Sequence, residues 1–140
     1  AAVSGKKSSK NLFFDHQLSS LNTLSKNHTL FIKKAFGIKK LKKKKVKTRT
    51  LNEILITNRI KKIDFMNIDV EGHEIEVLKN FNFNFFDIRL ICIEIIDYES
   101  YSKKIEIKKS KIFKLLKKNN YSLKFKTSVN YIFSRNKYLR

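Results

Sequence analysis

With 140 residues, 41% of them hydrophobic, the chain has the length of one domain that can bury a core, and its single cysteine, Cys92, excludes an internal disulfide. The formal net charge of +20, from 32 Lys and Arg against 12 Asp and Glu, raises an anionic partner without establishing one. Lys (27), Ile (17), Asn (13) and Phe (12) make up 69 of the 140 residues, and all four are encoded by codons of A and T alone, so a biased genome accounts for the charge and no nucleic acid is expected from it.

No apolar run approaches the roughly 18 residues of a membrane helix, no signal peptide is visible, and one unpaired cysteine suits a reducing, cytoplasmic compartment. In chain order, Ala1 to Ser4 reads as the end of a strand and Asn11 to Phe14 as a short strand, with Gly5-Lys6-Lys7-Ser8-Ser9 as the turn between them. Residues 15 to 32 are polar with scattered apolar positions. His16 and His28 there have no partner at metal-ligand spacing and read as ordinary surface histidines. The densest basic run, Lys39 to Lys45, reads as a solvated, mobile loop; its sharper alternative is a steering patch for a phosphorylated or uronic-acid glycan. Val46 to Arg49 predicts an edge strand, and Thr50 with Glu53 forms a capping box opening a helix through Leu55.

Ile63, Phe65, Met66, Ile68 and Val70 form a nearly continuous apolar run, the pattern of a strand buried on both faces of a parallel sheet. Asp69 falls at its carboxyl end, where open α/β sheets bind their ligands. Gly72 permits a sharp turn, after which Ile75, Val77, Leu78 and Phe81 recur at helical spacing. Glu71 and Glu74 lie in the first turn, where the helix dipole favours negative charge with or without a site role. Phe81 to Phe86 reads as a packed aromatic loop rather than a platform for stacking bases. Leu90 to Ile95 is a second buried strand; it carries Cys92 as a small apolar residue and ends in Glu94, ahead of Asp97-Tyr98-Glu99. Ile105 to Lys118 predicts an amphipathic helix stopped by Asn119-Asn120, and Tyr121 to Lys126 with Asn130 to Ser134 a hairpin-like pair.

Thr50-Leu51-Asn52-Glu53-Ile54-Leu55, the stretch Ile63 to Lys79, and Leu90-Ile91-Cys92-Ile93-Glu94-Ile95 together resemble the carboxyl-terminal half of an FkbM-family S-adenosylmethionine-dependent methyltransferase. Ala1-Ala2-Val3-Ser4, Ser19-Ser20-Leu21-Asn22-Thr23 and Val129-Asn130-Tyr131-Ile132-Phe133 resemble further segments of that family. Asn52 stands where the family usually has aspartate and Asn67 where it has lysine; neither change touches Asp69, Glu71 or Gly72. The resemblance implies an α/β fold with a Rossmann-like class I methyltransferase sheet, mainly parallel with an antiparallel carboxyl-terminal strand. It also implies S-adenosylmethionine as cofactor, contacted by Ser4, Asp69, Glu71 and Gly72. The family's glycine-rich cofactor turn has no counterpart here, because only Gly5, Gly37 and Gly72 are present and no two share the needed spacing. Residues 1 to 140 therefore read as a single partial methyltransferase domain, truncated at the amino terminus and binding cofactor weakly or not at all by itself.

Methyl transfer from a sulfonium to a hydroxyl needs oxygen, methyl and sulfur in line, and a group that takes or weakens the hydroxyl proton. Asp69 and Glu94, ending neighbouring strands, are the expected catalytic pair, as base and orienter or as joint holders of a magnesium ion that lowers the hydroxyl pKa. The expected partner is a glycan or small hydroxylated acceptor. A basic nucleic-acid-binding module without chemistry is the rival, favoured if the lysines form one continuous face. An inactive scaffold is a third reading.

Overall fold

Backbone pairing divides the strands between two mixed sheets in the computed structural model, which describes residues 1–16, 21–96 and 106–139. The smaller sheet has three strands in the order β1 (Ala2–Val3), β3 (Lys42–Arg49), β2 (Ser8–Phe14). The larger has four, in the order β4 (Lys62–Ile68), β5 (Asp87–Glu94), β7 (Asn130–Arg135), β6 (Tyr121–Lys126). Helices α1 (Lys26–Phe36), α2 (Leu51–Thr57), α3 (Glu74–Leu78) and α4 (Lys111–Lys118) connect them.

This corrects the expected mainly parallel, Rossmann-like sheet. Only β1 with β3 and β4 with β5 pair in parallel; β2 with β3, β5 with β7 and β6 with β7 are antiparallel. The reason is local. Strands β6 and β7 are joined by a turn of three residues, too short for a crossover, so they must run in opposite directions. The last strand then inserts between β5 and β6, which places the antiparallel strand inside the sheet rather than at its edge.

Strand β4 also departs from expectation. It is an edge strand buried on one face, with Met66 and Ile68 inward and Phe65, 54% exposed, outward. Met66 and Ile68 lie beside Ile91 and Ile93 of β5, which lie beside Phe133 and Tyr131 of β7. These six side chains form the inner face of the sheet, and Leu78 of α3 with Ile112 and Leu116 of α4 complete the core against it. Each Å² of apolar surface this layer removes from water stabilises the fold by roughly 25 cal/mol. The aromatic loop belongs to the same core: Phe81, Phe83 and Phe86 are buried, with ring centroids 4.9 Å apart for Phe81 and Phe83 and 5.1 Å for Phe81 and Phe86. Arg135 pins that loop through hydrogen bonds to the carbonyls of Phe83 (2.9 Å) and Phe86 (3.0 Å).

Lys42 to Lys45, read as part of a loop, are strand residues, and β3 is the centre of its sheet rather than an edge. The predicted long helix from Ile105 is broken: a 3₁₀ turn at Ile107–Lys109 precedes Ser110, whose side chain caps α4 by accepting from Ile112 N–H. Ile105 itself, with Ser19, Ser20, Asp97, Tyr98 and Glu99, lies outside the described residues. The capping box is as expected: Thr50 Oγ1 accepts from Glu53 N–H at 3.1 Å, and Glu53 Oε2 accepts from Thr50 N–H at 2.8 Å. The smaller sheet is fastened to α3 by Asn80 Nδ2, which donates to the Gly5 carbonyl at 2.9 Å. Gly5 also lies so close to the Glu76 carbonyl that a side chain at this position would collide with it.

Candidate functional site

The loop from β4 to α3 carries the chemistry. Ile68 of β4 stands beside Ile93 of β5, so Asp69 and Glu94, one residue further along each parallel strand, emerge side by side. Glu74, at the start of α3, folds back toward them, and ligand oxygens of Asp69, Glu74 and Glu94 lie within 4.8 Å of one another. Asp69 is exposed, Glu94 half-buried and Glu74 buried. Glu71 adds a fourth negative group, felt electrostatically from Glu94, Asp69 and Glu74. Four of the chain's 12 carboxylates thus converge in a protein whose net charge is +20.

The loop is held in an unusual shape. Glu71 and Gly72 both have positive φ, 51° and 83°. A glycine accepts this freely, whereas for Glu71 it costs about 1–2 kcal/mol. Glu74 Oε1 offsets that cost by accepting hydrogen bonds from Val70 N–H (3.2 Å) and Gly72 N–H (3.0 Å), closing the loop around a carboxylate. From the other side, Thr23 Oγ1 donates to the Glu71 carbonyl at 2.6 Å and accepts from Ser25 N–H at 2.9 Å. Burial raises the Glu74 pKa, the backbone donors only partly opposing it.

Glu71 is strongly perturbed: burial, then the charges of Glu94, Asp69 and Glu74, push its carboxyl up to about 7. Its Oε2 lies 3.4 Å from Nε2 of the buried His28. Burial lowers the His28 pKa while the acid's is raised, so burial disfavours the charged form of both partners and weakens this contact as an ion pair.

His73 closes the loop and is also buried. Its Nε2 lies 3.0 Å from Ser4 Oγ and 3.2 Å from Lys10 Nζ. An ammonium can only donate, so Nε2 is the acceptor and the ring proton resides on Nδ1. Burial, then the Lys10 charge, drives its pKa down to about 4. Ser4 is fully buried with its hydroxyl engaged by this ring, behind the wall to which Val3 contributes.

A cleft of about 370 Å³ opens where this loop meets the smaller sheet, within the size range of small-molecule sites. Ala2, Val3, Leu12 and Leu24 give it apolar walls; Asn22, Asp69, Glu71 and His73 give it polar ones. Of the residues singled out from sequence, Asp69 and Glu71 line the cleft, Glu94 joins Asp69 at the strand ends, Gly72 supplies the turn, and Ser4 lies behind His73. Sequence reasoning missed the structural part played by Glu74, for which the spacing 69, 71, 74 around one glycine is the available signal. It also missed His28, Thr23 and Lys10, which reach the loop from distant segments with no local pattern to mark them.

With that geometry in view, the comparison with known families is decisive at the level of class. Residues 2–123 match the methyltransferase FkbM domain, and the chain belongs to that family. No curated protein and no solved structure matches it. The protein is accordingly of a methyltransferase family, and among its described residues no helix is long and apolar enough to cross a membrane.

Proposed function

We propose that the chain transfers a methyl group from S-adenosylmethionine to a hydroxyl of a sugar, glycan or other small hydroxylated metabolite, with Asp69 as general base and Glu94 as its orienter. The observation that carries this reading is the pair of adjacent parallel strands whose ends bring Asp69 and Glu94 together at the lip of a cleft lined by a family-consistent loop. The cofactor, when bound, supplies an electrophilic methyl on a cationic sulfur. The residues fit such a group: the apolar walls accept its uncharged parts, and the convergent carboxylates complement its positive charge. Asp69, exposed at the lip, is placed to accept the acceptor hydroxyl proton, while Glu94 beside it fixes the approach through hydrogen bonding. Glu74 keeps the loop closed, and Gly72 lets backbone approach the ligand. No nucleic acid is required by this reading.

A magnesium-assisted form of the same reaction draws on one observation, the all-oxygen donor set of Asp69, Glu74 and Glu94, a chemistry that suits a hard cation. Glu74 Oε1 is already committed to two backbone donors, so Asp69 and Glu94 would carry most of the coordination. Loss of turnover in EDTA, restored by magnesium, distinguishes this form from the metal-free one.

Because residues 1–140 hold no two glycines at the spacing of a glycine-rich turn, cofactor binding to these residues rests on this cleft and is weak. It strengthens from pH 6 to pH 8 as Glu71 ionises, and Glu71→Gln removes the pH dependence. Calorimetric titration of S-adenosylmethionine across that range tests the proposal. Submicromolar affinity indifferent to pH and to Glu71→Gln, or no binding at any pH, contradicts it.

A further inference from the structure

On the face of the smaller sheet turned away from the cleft, β3 presents Lys43, Lys45, Lys47 and Arg49 at alternate positions. Thr48, on the opposite face, is buried with its hydroxyl near the Lys6 and Ser8 carbonyls, and Lys42 and Lys44 on that face are exposed, as are Lys43, Lys45 and Lys47 on this one. Alternate residues of a strand are about 6.6–6.8 Å apart, so the four cations form a straight, evenly spaced row. Among the described residues, none of the three lysines has an acidic partner. Across the antiparallel pairing, Asn11 stands beside Lys45 and Ser9 beside Lys47, putting a neutral hydrogen-bonding group next to these two charges, while Phe13 stands beside Lys43. The row runs into a groove of about 740 Å³ between this sheet and α2, lined by Lys7, Ser8, Ser9, Lys47, Arg49 and Thr57. Glu53 also borders the groove; its carboxylate accepts from Thr50 N–H and Oγ–H and attracts Lys7 and Arg49, and the half-buried Arg49 donates to Thr57 Oγ1 at 2.9 Å, so the exposed charges of the row are Lys43, Lys45 and Lys47.

We propose that this face docks a linear acidic glycan, the cation row holding successive carboxylates and the serine, asparagine and threonine side chains taking sugar hydroxyls. The chemistry favours a glycan over a single-stranded nucleic acid, because bases need aromatic platforms and, among the described residues of β2 and β3, the ring on this face, Phe13, is half-buried beside Thr23. The proposal names the polymer that carries the acceptor hydroxyl and so rests on the methyl-transfer reading for its purpose. Its test does not, since binding is measured without cofactor.

Polygalacturonate, neutral dextran and an oligothymidylate of matched charge number serve as probes of the intact chain at fixed ionic strength. Polygalacturonate binds and dextran does not. The double substitution Lys45→Gln with Lys47→Gln weakens polygalacturonate binding about tenfold and reduces the salt dependence by about one counterion per lysine removed, with unchanged thermal unfolding because both side chains are exposed. Lys117→Gln with Lys118→Gln, an equal change of net charge on exposed positions of α4, leaves binding as it was. Equal weakening by both pairs, absence of polygalacturonate binding, or tighter binding of the oligonucleotide overturns the proposal. Methyl transfer failing while this binding persists would remove the catalytic reading and leave the docking face standing.

Discussion

Glu71→Gln isolates the electrostatic strain in the β4–α3 loop. Glutamine keeps the size of the side chain and a hydrogen-bonding end facing His28, but it cannot ionise. In the wild type the Glu71 carboxyl is raised from 4.5 to about 7, so the folded state holds its proton more tightly than the unfolded chain. Its contribution to stability is therefore fully present below about pH 4.5 and is lost as pH rises through about 7. The difference of 7 − 4.5 gives about 3 kcal/mol as a ceiling, and partial exposure with screening brings the expected effect to on the order of 2 kcal/mol. His73 acts in the opposite sense. Its pKa is lowered from 6.5 to about 4, so its contribution is present above pH 6.5 and lost as pH falls through 4. Between about pH 4.5 and 6.5 the two trends oppose each other in the wild type. Urea denaturation at half-unit intervals from pH 4 to 8 measures the outcome, and the difference between wild type and variant removes effects common to both, such as repulsion among the lysines. Relative to wild type, Glu71→Gln gains on the order of 2 kcal/mol between pH 5 and pH 8, and its own profile rises to pH 6.5 and then levels. Parallel profiles for the two proteins would show that Glu71 titrates normally and that the carboxylates do not converge as described.

Glu74→Ala leaves the Val70 and Gly72 N–H groups without their acceptor and destabilises by about 2–4 kcal/mol, whereas Glu74→Gln, which keeps a carbonyl oxygen to accept from both, is close to neutral; chemical denaturation at pH 7 separates them. Gly5→Ala drives a methyl group into the Glu76 carbonyl and costs about 1–3 kcal/mol by displacing the smaller sheet from α3, seen as faster hydrogen exchange at Ser4, whose N–H donates to the Arg49 carbonyl, with β5 unaffected.

Where sequence and structure agree, the signal was short-range. The capping box needs only Thr50 and Glu53, and the strand-end placement of Asp69 and Glu94 follows from two apolar runs that each stop at an acid. Three of the disagreements are decided by pairing partners far along the chain. Strand β4 reads as doubly buried because Ile63, Phe65 and Ile68 are apolar, yet as an edge strand it has the core on one side only. Lys42 to Lys45 read as a loop because like charges repel, yet their backbone is fixed by a ladder to Asn11, Leu12, Phe13 and Phe14 while their side chains reach water. The insertion of β7 between β5 and β6 leaves no mark in local composition. Nor does the ring of Thr23, His28 and Lys10 around the site loop, since each residue comes from a segment without periodicity.

The catalytic assignment is tested most directly by the rate of labelled methyl transfer from S-adenosylmethionine to a hydroxylated acceptor by Asp69→Asn. Asp64→Asn, an exposed aspartate on β4 five residues earlier, is the matched control. A positioned general base contributes about 10²- to 10⁴-fold, so Asp69→Asn loses at least about 10²-fold in rate with unchanged unfolding, and Asp64→Asn retains the wild-type rate. Full activity in Asp69→Asn, or loss of folding in place of loss of rate, contradicts the assignment.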